Sequence, residues 1–428
     1  MIWKLRKMRM SSMKRRRRYW VHPITSCRMT RGVYSTLYQE LRKHPVKFAE
    51  YLRVSVASFD DLSQRLRRRL RRKDTKFRRS VTPEERLMVT LRFLASGESF
   101  SSLHFQFRLG KSTISYIVKD TCRAIWNLLR EEFLPHPTCQ QWISIADKFY
   151  EVTQFPNCIG AVDGKHVRLL KPPRSGSSFF NYKKYFSVIL MAIVDANYKF
   201  VAVDIGAFGR TNDSRVFKNS NMGKRLYSGN FGIPEPRPLP GTTNPALPFV
   251  LVGDEAFQMC GNLLKPYASR GLDYRKRVFN YRLTRARRMV ECAFGILTAK
   301  WRIFTRPIQL KTDTVDDVIK ACVVLHNYVL TKEPLPTEPL ALNPPGDNIE
   351  TGPRSTVAST MMYRSTYIYC LGFSKRVQSA MIIMLVLENL NVRTRKSNHL
   401  PIFSSLYGLL KADKCTIITH ISETSLLI

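Results

Sequence analysis

Apolar residues recur at two different periods along the chain, and the change falls near residue 155. Before it the spacing is helical. Phe59 and Leu62 follow Ser58, with Asp60 and Asp61 between them, which predicts a helix with Ser58 as N-cap and two acids in its first turn. Thr82–Glu85 has the form of a capping box with Pro83 at the first helical position. Leu87, Leu91 and Leu94 then share one face, and Gly97 ends the run. A shorter helix is predicted over Phe100–Phe107, and Leu109-Gly110-Lys111 makes a turn. A third helix starts at Ser112, with Ile114, Ile117, Val118, Ile125 and Leu129 on its apolar side. Three helices with a glycine turn before the last read as a helix-turn-helix. On that reading Lys111, Ser112, Thr113, Ser115, Tyr116 and Lys119 stand where a recognition helix presents its groove contacts. A plain three-helix bundle is the competing reading.

After residue 155 short buried strands take over. Cys158–Val162 is apolar and runs into Asp163, and Phe249–Val252 runs through Gly253 into Asp254. Ser187–Asp195 and Phe200–Gly206 flank a four-residue turn and predict a hairpin. Asn212–Leu226 reads as helical, and residues 228–248 as a long Gly/Pro-rich surface loop. Thr284–Phe304 is a predicted helix with Val290, Phe294, Leu297 and Trp301 inward, and Asp316–Leu330 is another. The expected fold is therefore α/β, a mixed-sheet domain preceded by a helix-turn-helix-like helical domain. The expected divisions are a basic, partly helical arm over 1–80, a helical DNA-binding domain over 81–150, the sheet domain over 151–330, and a Pro-rich linker with a divergent tail over 331–428. The tail shows no clean period, and no function is assigned to it.

Charge adds a partner to this picture. The 428 residues hold 70 Lys/Arg against 32 Asp/Glu, a formal net charge of +38, while 44% are hydrophobic, enough for real cores. A wholly disordered basic tail protein is excluded, and nucleic acid is the default partner of such a charge. Residues 1–80 alone carry 25 Lys/Arg against 5 Asp/Glu. Two runs dominate, Lys14–Arg18, which includes Arg16 and Arg17, and Arg65–Lys73. Each reads as a phosphate-contacting arm or a nuclear import signal, against a solvated helix face. Nine cysteines show no CxxC pair and no zinc-ligand spacing, so inert thiols in a reducing compartment are expected. No signal peptide is visible, and the longest apolar run, Ala380–Leu387, is too short to cross a bilayer.

The candidate chemistry lies in the two strands that end on acids. A strand buried on both faces tolerates a carboxylate only at its mouth, where solvent or a cation reaches it. If the strands of Asp163 and Asp254 are parallel neighbours, their carboxylates meet at one sheet edge. Glu291, beside the apolar stripe of the long helix, is a third acid placed against that edge. Three converging carboxylates repel one another, and hard divalent cations such as Mg²⁺ or Mn²⁺ remove that cost. Two such ions about 4 Å apart activate water and stabilise the leaving oxygen in phosphodiester cleavage. Asp213 is a possible supporting acid, but Asn212-Asp213-Ser214 is helix-start composition, and a cap is the favoured reading. His166 is expected to be structural, Asp195 and Asp204 to sit at hairpin and strand-end positions, and Lys165 is within reach of a phosphate role.

This ordered set resembles a known family. Gly160–Val167 around Asp163, Val252–Phe257 around Asp254 and Val290–Gly295 around Glu291 are similar to the motifs of the DDE nucleases of the PIF/Harbinger transposase superfamily, most like the Harbinger transposase-derived nucleases of animals. Gly209–Ser214, Arg18–Pro23 and Leu109–Ile114 resemble further segments of that family, and the likeness covers roughly residues 18–330. The resemblance implies an RNase H-like catalytic fold with Asp163, Asp254 and Glu291 as catalytic metal ligands, and the expected cofactor is a pair of Mg²⁺ or Mn²⁺ ions. It implies a nuclear DNA endonuclease acting through metal-activated water, with strand transfer open, double-stranded DNA as substrate, and a separate Myb/SANT-like DNA-binding partner. A homo-oligomer is a further expectation, and no membrane is involved. The alternatives are a catalytically inactive nuclear DNA-binding protein that keeps the core as a scaffold, and an RNA-binding factor, for which no RRM-type signature is present.

Overall fold

The computed structural model describes residues 19–334 apart from Phe77, Asn244 and Ser269, so Arg16, Arg17, the tail and most of the linker lie outside the described residues. Nine of the described helices precede the first strand of the main sheet. They are α1 (Pro23–Ser26), α2 (Arg28–Arg31), α3 (Val33–Lys43), α4 (Pro45–Leu52), α5 (Val56–Leu70), α6 (Pro83–Ser96), α7 (Phe100–Phe107), α8 (Lys111–Phe133) and α9 (Cys139–Thr153). The sheet region follows with β1 (Cys158–Arg168), β2 (Ser187–Val194), β3 (Phe200–Phe208), α10 (Asp213–Asn219), α11 (Asn221–Tyr227), β4 (Arg237–Pro238), β5 (Ala246–Leu247), β6 (Val250–Val252) and β7 (Leu263–Leu264). The long α12 (Tyr274–Lys300), a 3₁₀ turn and α13 (Thr312–Lys332) close the described part.

Capping explains most of the helix starts. Thr82 accepts from the Glu85 N–H, and Gly97 ends α6 at φ +68°, the left-handed geometry that favours glycine. The cap of α5 is Ser55 rather than Ser58. Ser55 accepts from the Ser58 N–H, so Asp60 and Asp61 fall beyond the first turn, where they pair with Arg42 and Arg65. In the turn before α8 the left-handed residue is Arg108, at φ +54°, while Gly110 is extended and caps α8 without a side chain. A full capping box occurs at Thr138 and Gln141, where it starts α9.

The main sheet has five strands in the order β3-β2-β1-β6-β7. β1, β2 and β3 form an antiparallel meander, and β6 and β7 run parallel to β1. All eight residues of β2 are buried, so both faces of the sheet are covered. One face holds a cluster of Trp142, Ile159, Met191, Phe217, Phe249 and Leu251, with α9, α10 and α11 supplying the helical side. The fold is thus mixed α/β around a five-stranded mixed sheet.

α13 ties the helical layer to the sheet. The Asn327 amide donates to the Phe133 and Phe200 carbonyls and accepts from the Phe200 N–H, so one buried side chain bridges α8 and β3. Tyr328 stacks edge-on to Phe133 and donates to the Ser58 carbonyl and Asp61. Glu333 accepts from the N–H of Ser55 and the hydroxyl of Ser58. Asn327 and Tyr328 are buried and satisfied across elements far apart in sequence, where leaving such a group unmade costs about 1–3 kcal/mol.

Candidate active site

β1 does not end at Asp163, as its sequence suggests. It continues to Arg168, because Asp163–Arg168 stay paired with β2. On its other edge β1 pairs with β6 only as far as Ala161 opposite Val252. Asp163 therefore stands at the mouth of the parallel pair although it lies within a longer strand. Asp254 follows the end of β6, separated from it by Gly253. The expected parallel neighbours are present, and both acids leave the sheet at the same end. Asp254 also accepts from the Ala256 N–H at 3.0 Å, which fixes the turn after the strand.

α12 brings up the third acid. It starts at Tyr274, ten residues before its predicted start, because Asp273 caps it by accepting from the Lys276 N–H. Val290, Phe294 and Leu297 are buried, and Glu291 is exposed between them. Glu291 pairs with Arg287, one turn earlier on the same helix, at 2.6 Å. Arg287 also lies close enough to Asp163 to favour its ionised form. Sequence reasoning passed over Arg287, although its i,i+4 spacing to Glu291 was a signal.

Asp213 is not a cap. Asn212 takes that role by accepting from the Arg215 N–H, and Asp213 is the first residue of α10. Its carboxylate is packed against β1 where Gly164 leaves no side chain, and a Cβ at Gly164 would collide with it. Its Oδ1 is buried with no hydrogen-bond partner.

The electrostatics follow from this crowding. Burial pushes Asp163 up to about 6; the Gly164 N–H, donating at 2.8 Å, and Arg287 oppose the rise, while Asp254 and Glu291 add to it. Burial pushes Asp213 up to about 7, with Asp163 and Asp254 adding to the rise and Lys183 opposing it. Asp163, Asp213, Asp254 and Glu291 thus form one electrostatically linked set. Among the described residues, no three His, Cys, Asp or Glu side chains stand close enough to form a ready metal-ligand group. The donor set nonetheless suits a hard divalent cation, since it offers carboxylate oxygens, one of them buried and orphaned, whose mutual repulsion a cation would relieve.

The remaining candidates are placed as follows. His166 is bonded through Nδ1 to the Ser187 hydroxyl and lowered to about 4 by burial and by Lys183, so it is neutral and structural. Lys165 is also lowered by burial and lies 5.8 Å from the Phe294 ring centroid. Asp195 accepts from the N–H groups of Asn197 and Lys199 in the hairpin turn, whereas Asp204 lies inside β3 opposite Met191, not at a strand end. On α8, Lys111, Ser112, Thr113 and Tyr116 are exposed and Ser115 and Lys119 half-buried, away from the acidic set in sequence and on a separate helix. Tyr116 also lies beneath the Arg86 guanidinium.

Residues 162–327, a span that begins one residue before Asp163 and includes all four acids, match the model of the DDE superfamily endonuclease family. Over that span the chain is similar to DDE superfamily endonucleases. The Arabidopsis thaliana protein ALP1-like is 29% identical over 297 residues, covering 68% of this chain and 72% of that one. The Arabidopsis protein antagonist of like heterochromatin protein 1 is 26% identical over 257 residues, covering 59% of this chain and 63% of its own length. The provisionally named nuclease HARBI1 of Rattus norvegicus is 24% identical over 260 residues, covering 59% and 68%. No solved structure matches the chain. The sequence resemblance to Harbinger-derived DDE proteins is met, and the matched span takes in most of the main sheet and the helices that close it.

Proposed function

We propose that this chain is a divalent-metal-dependent DNA endonuclease whose DDE domain works through Asp163, Asp254 and Glu291, with Asp213 as a supporting acid. The observation that carries the reading is the linked set of four acids at the mouth of β1 and β6, in which the charge of Asp213 is left without a hydrogen-bond partner at Oδ1. An RNase H-like topology is the reading of the sheet that fits this family. Mg²⁺ or Mn²⁺ bound there would supply Lewis-acid activation of water and charge neutralisation at the phosphodiester.

The chain's own residues do the rest. The parallel pairing of β1 with β6 fixes Asp163 and Asp254 relative to one another. Gly164 makes room for Asp213 beside them. Arg287 holds Glu291, and a cation shared with the other acids would compete with that pair. The basic end of α5 and the exposed start of α8 offer phosphate contacts for double-stranded DNA. A nuclear setting and a Myb/SANT-like partner complete the proposal, and the Lys14–Arg18 run that would serve nuclear import lies outside the described residues. Among the described residues, no helix is long and apolar enough to cross a membrane.

Nicking of supercoiled plasmid with Mg²⁺ tests the assignment. Asp163→Asn and Glu291→Gln should each reduce nicking to background while helical content and DNA affinity stay at wild-type levels. Undiminished nicking in both variants would refute the roles assigned. The Arg287–Glu291 pair favours a second reading, a DNA-binding scaffold that no longer cuts. A scaffold would bind duplex DNA without Mg²⁺-dependent nicking.

A further inference from the structure

The excursion between β1 and β2 carries an unusual composition. Residues 164–194 hold six Lys/Arg and no Asp or Glu, and the segment 179–186 adds five aromatics. Its tip is a tight turn pinned at the base by Asn181. The Asn181 N–H donates to the Tyr185 carbonyl, its carbonyl accepts from Lys184, and its side chain bonds the Tyr185 N–H and the Ser187 hydroxyl. Lys184 holds φ at +62°, which closes the turn. Asn181 is buried, whereas Tyr182, Lys183 and Lys184 at the tip are exposed, Tyr182 by 76%.

A large ring held out in water by a rigid turn gains nothing for the core. Tyr182 is flanked instead by charge and by other rings. Lys183 Nζ lies 5.4 Å from its ring centroid, and the His166 ring meets its edge at 5.5 Å. The tip also lies on the side of β1 that carries the acidic set, since the His166 ring that Tyr182 meets stands three residues beyond Asp163 on the same strand. Exposed aromatics between cations are the features by which proteins hold unpaired nucleic acid, with rings stacked on bases and cations on phosphates.

We propose that the tip Asn181–Tyr185 is a stacking platform for an unpaired DNA base beside the acidic set, with Tyr182 stacked on the base and Lys183 and Lys184 on the flanking phosphates. The identity of the occupant rests on the nuclease reading, because a strand opened at a cleavage site would present such a base there. The platform itself is measurable without cleavage.

The test is fluorescence anisotropy of the full chain in EDTA, with a labelled oligothymidine, a blunt duplex of the same length and a single-stranded RNA of the same length. Tyr182→Ala should weaken single-stranded DNA binding by roughly 5- to 100-fold and duplex binding by less than about twofold. Tyr182→Phe should stay within about threefold of wild type, since the ring is kept. Lys183→Ala combined with Lys184→Ala should weaken both DNAs and reduce the log–log salt slope by about 1–2. Unchanged single-strand affinity in Tyr182→Ala, equal losses for single strand and duplex, or a larger loss for RNA than for DNA would each overturn the platform. Tyr182 is exposed, so the variant keeps its fold, and circular dichroism checks this. A chain that shows the Tyr182 effect but never cuts with Mg²⁺ would remove the nuclease reading and leave the platform standing.

Discussion

Asp120 and Asp213 are both carboxylates drawn away from water, and the chain treats them in opposite ways. Asp120, within α8, is met by three arginines, Arg69 at 3.2 Å, Arg72 at 2.7 Å and Arg86 at 2.6 Å. Asp213 has a buried oxygen with no partner, and two other acids raise it further. In the helical layer the cost of burying a charge is offset inside the chain by partners from α5, the segment just after it, and α6. At the mouth of the sheet only Lys183 opposes it, with no hydrogen bond to the buried oxygen, and the surrounding packing of β1 and α10 holds the acid there regardless. An uncompensated charge in a folded protein costs stability, so its retention points to a partner from outside. That contrast separates an acid that builds the fold from one that serves it.

The contrast can be broken in four ways. The largest effect should come from Asp254→Ala, which should lower Mg²⁺-dependent plasmid nicking by at least about 100-fold without altering the circular dichroism spectrum. Next, Asp120→Ala should destabilise the chain by about 3–5 kcal/mol in urea unfolding, because it strands the buried Arg86. Asp213→Asn should do the reverse and raise the melting temperature by a few degrees at pH 8. The sign follows from its titration, since Asp213 moves from an ordinary 3.8 to about 7 in the folded chain. Below pH 3.8 the group is protonated in both states and contributes nothing. The penalty grows as pH rises through that window and is complete above about 7, so the gain from Asn should vanish near pH 4. The smallest effect should come from Lys111→Ala and Lys119→Ala, each weakening duplex binding evenly across sequences and lowering the salt slope by about 1.

The sequence made some of this legible and hid the rest for physical reasons. The strand-to-acid runs at Asp163 and Asp254 were readable because a strand buried on both faces shows as a continuous apolar run. The extension of β1 past Asp163 was hidden, since Gly164, Lys165 and His166 carry no strand signal and are held by pairing with β2. The early start of α12 was masked by Tyr274–Arg282, a basic stretch without a clean apolar stripe. The two-residue strand β7 is too short for any period to mark it. Asp213 looked like a cap because helix-start residues and site acids share a composition. Only the approach of α10 to Gly164, a tertiary contact, tells them apart. The helices α6, α7 and α8 were foreseen, whereas the packing of α8 on α13 through Asn327 and Tyr328 depends on residues nearly 200 positions away.

The central claim is that the acids at the sheet mouth, only partly offset by Arg287 and Lys183, are completed by a divalent cation. Titration calorimetry with Mn²⁺ at pH 7.5, on the wild-type chain and on Asp163→Asn, tests it without reference to cutting. The account predicts saturable binding to the wild type and its loss in Asp163→Asn. Equal heats for the two proteins, or no binding to either in the millimolar range, would contradict it.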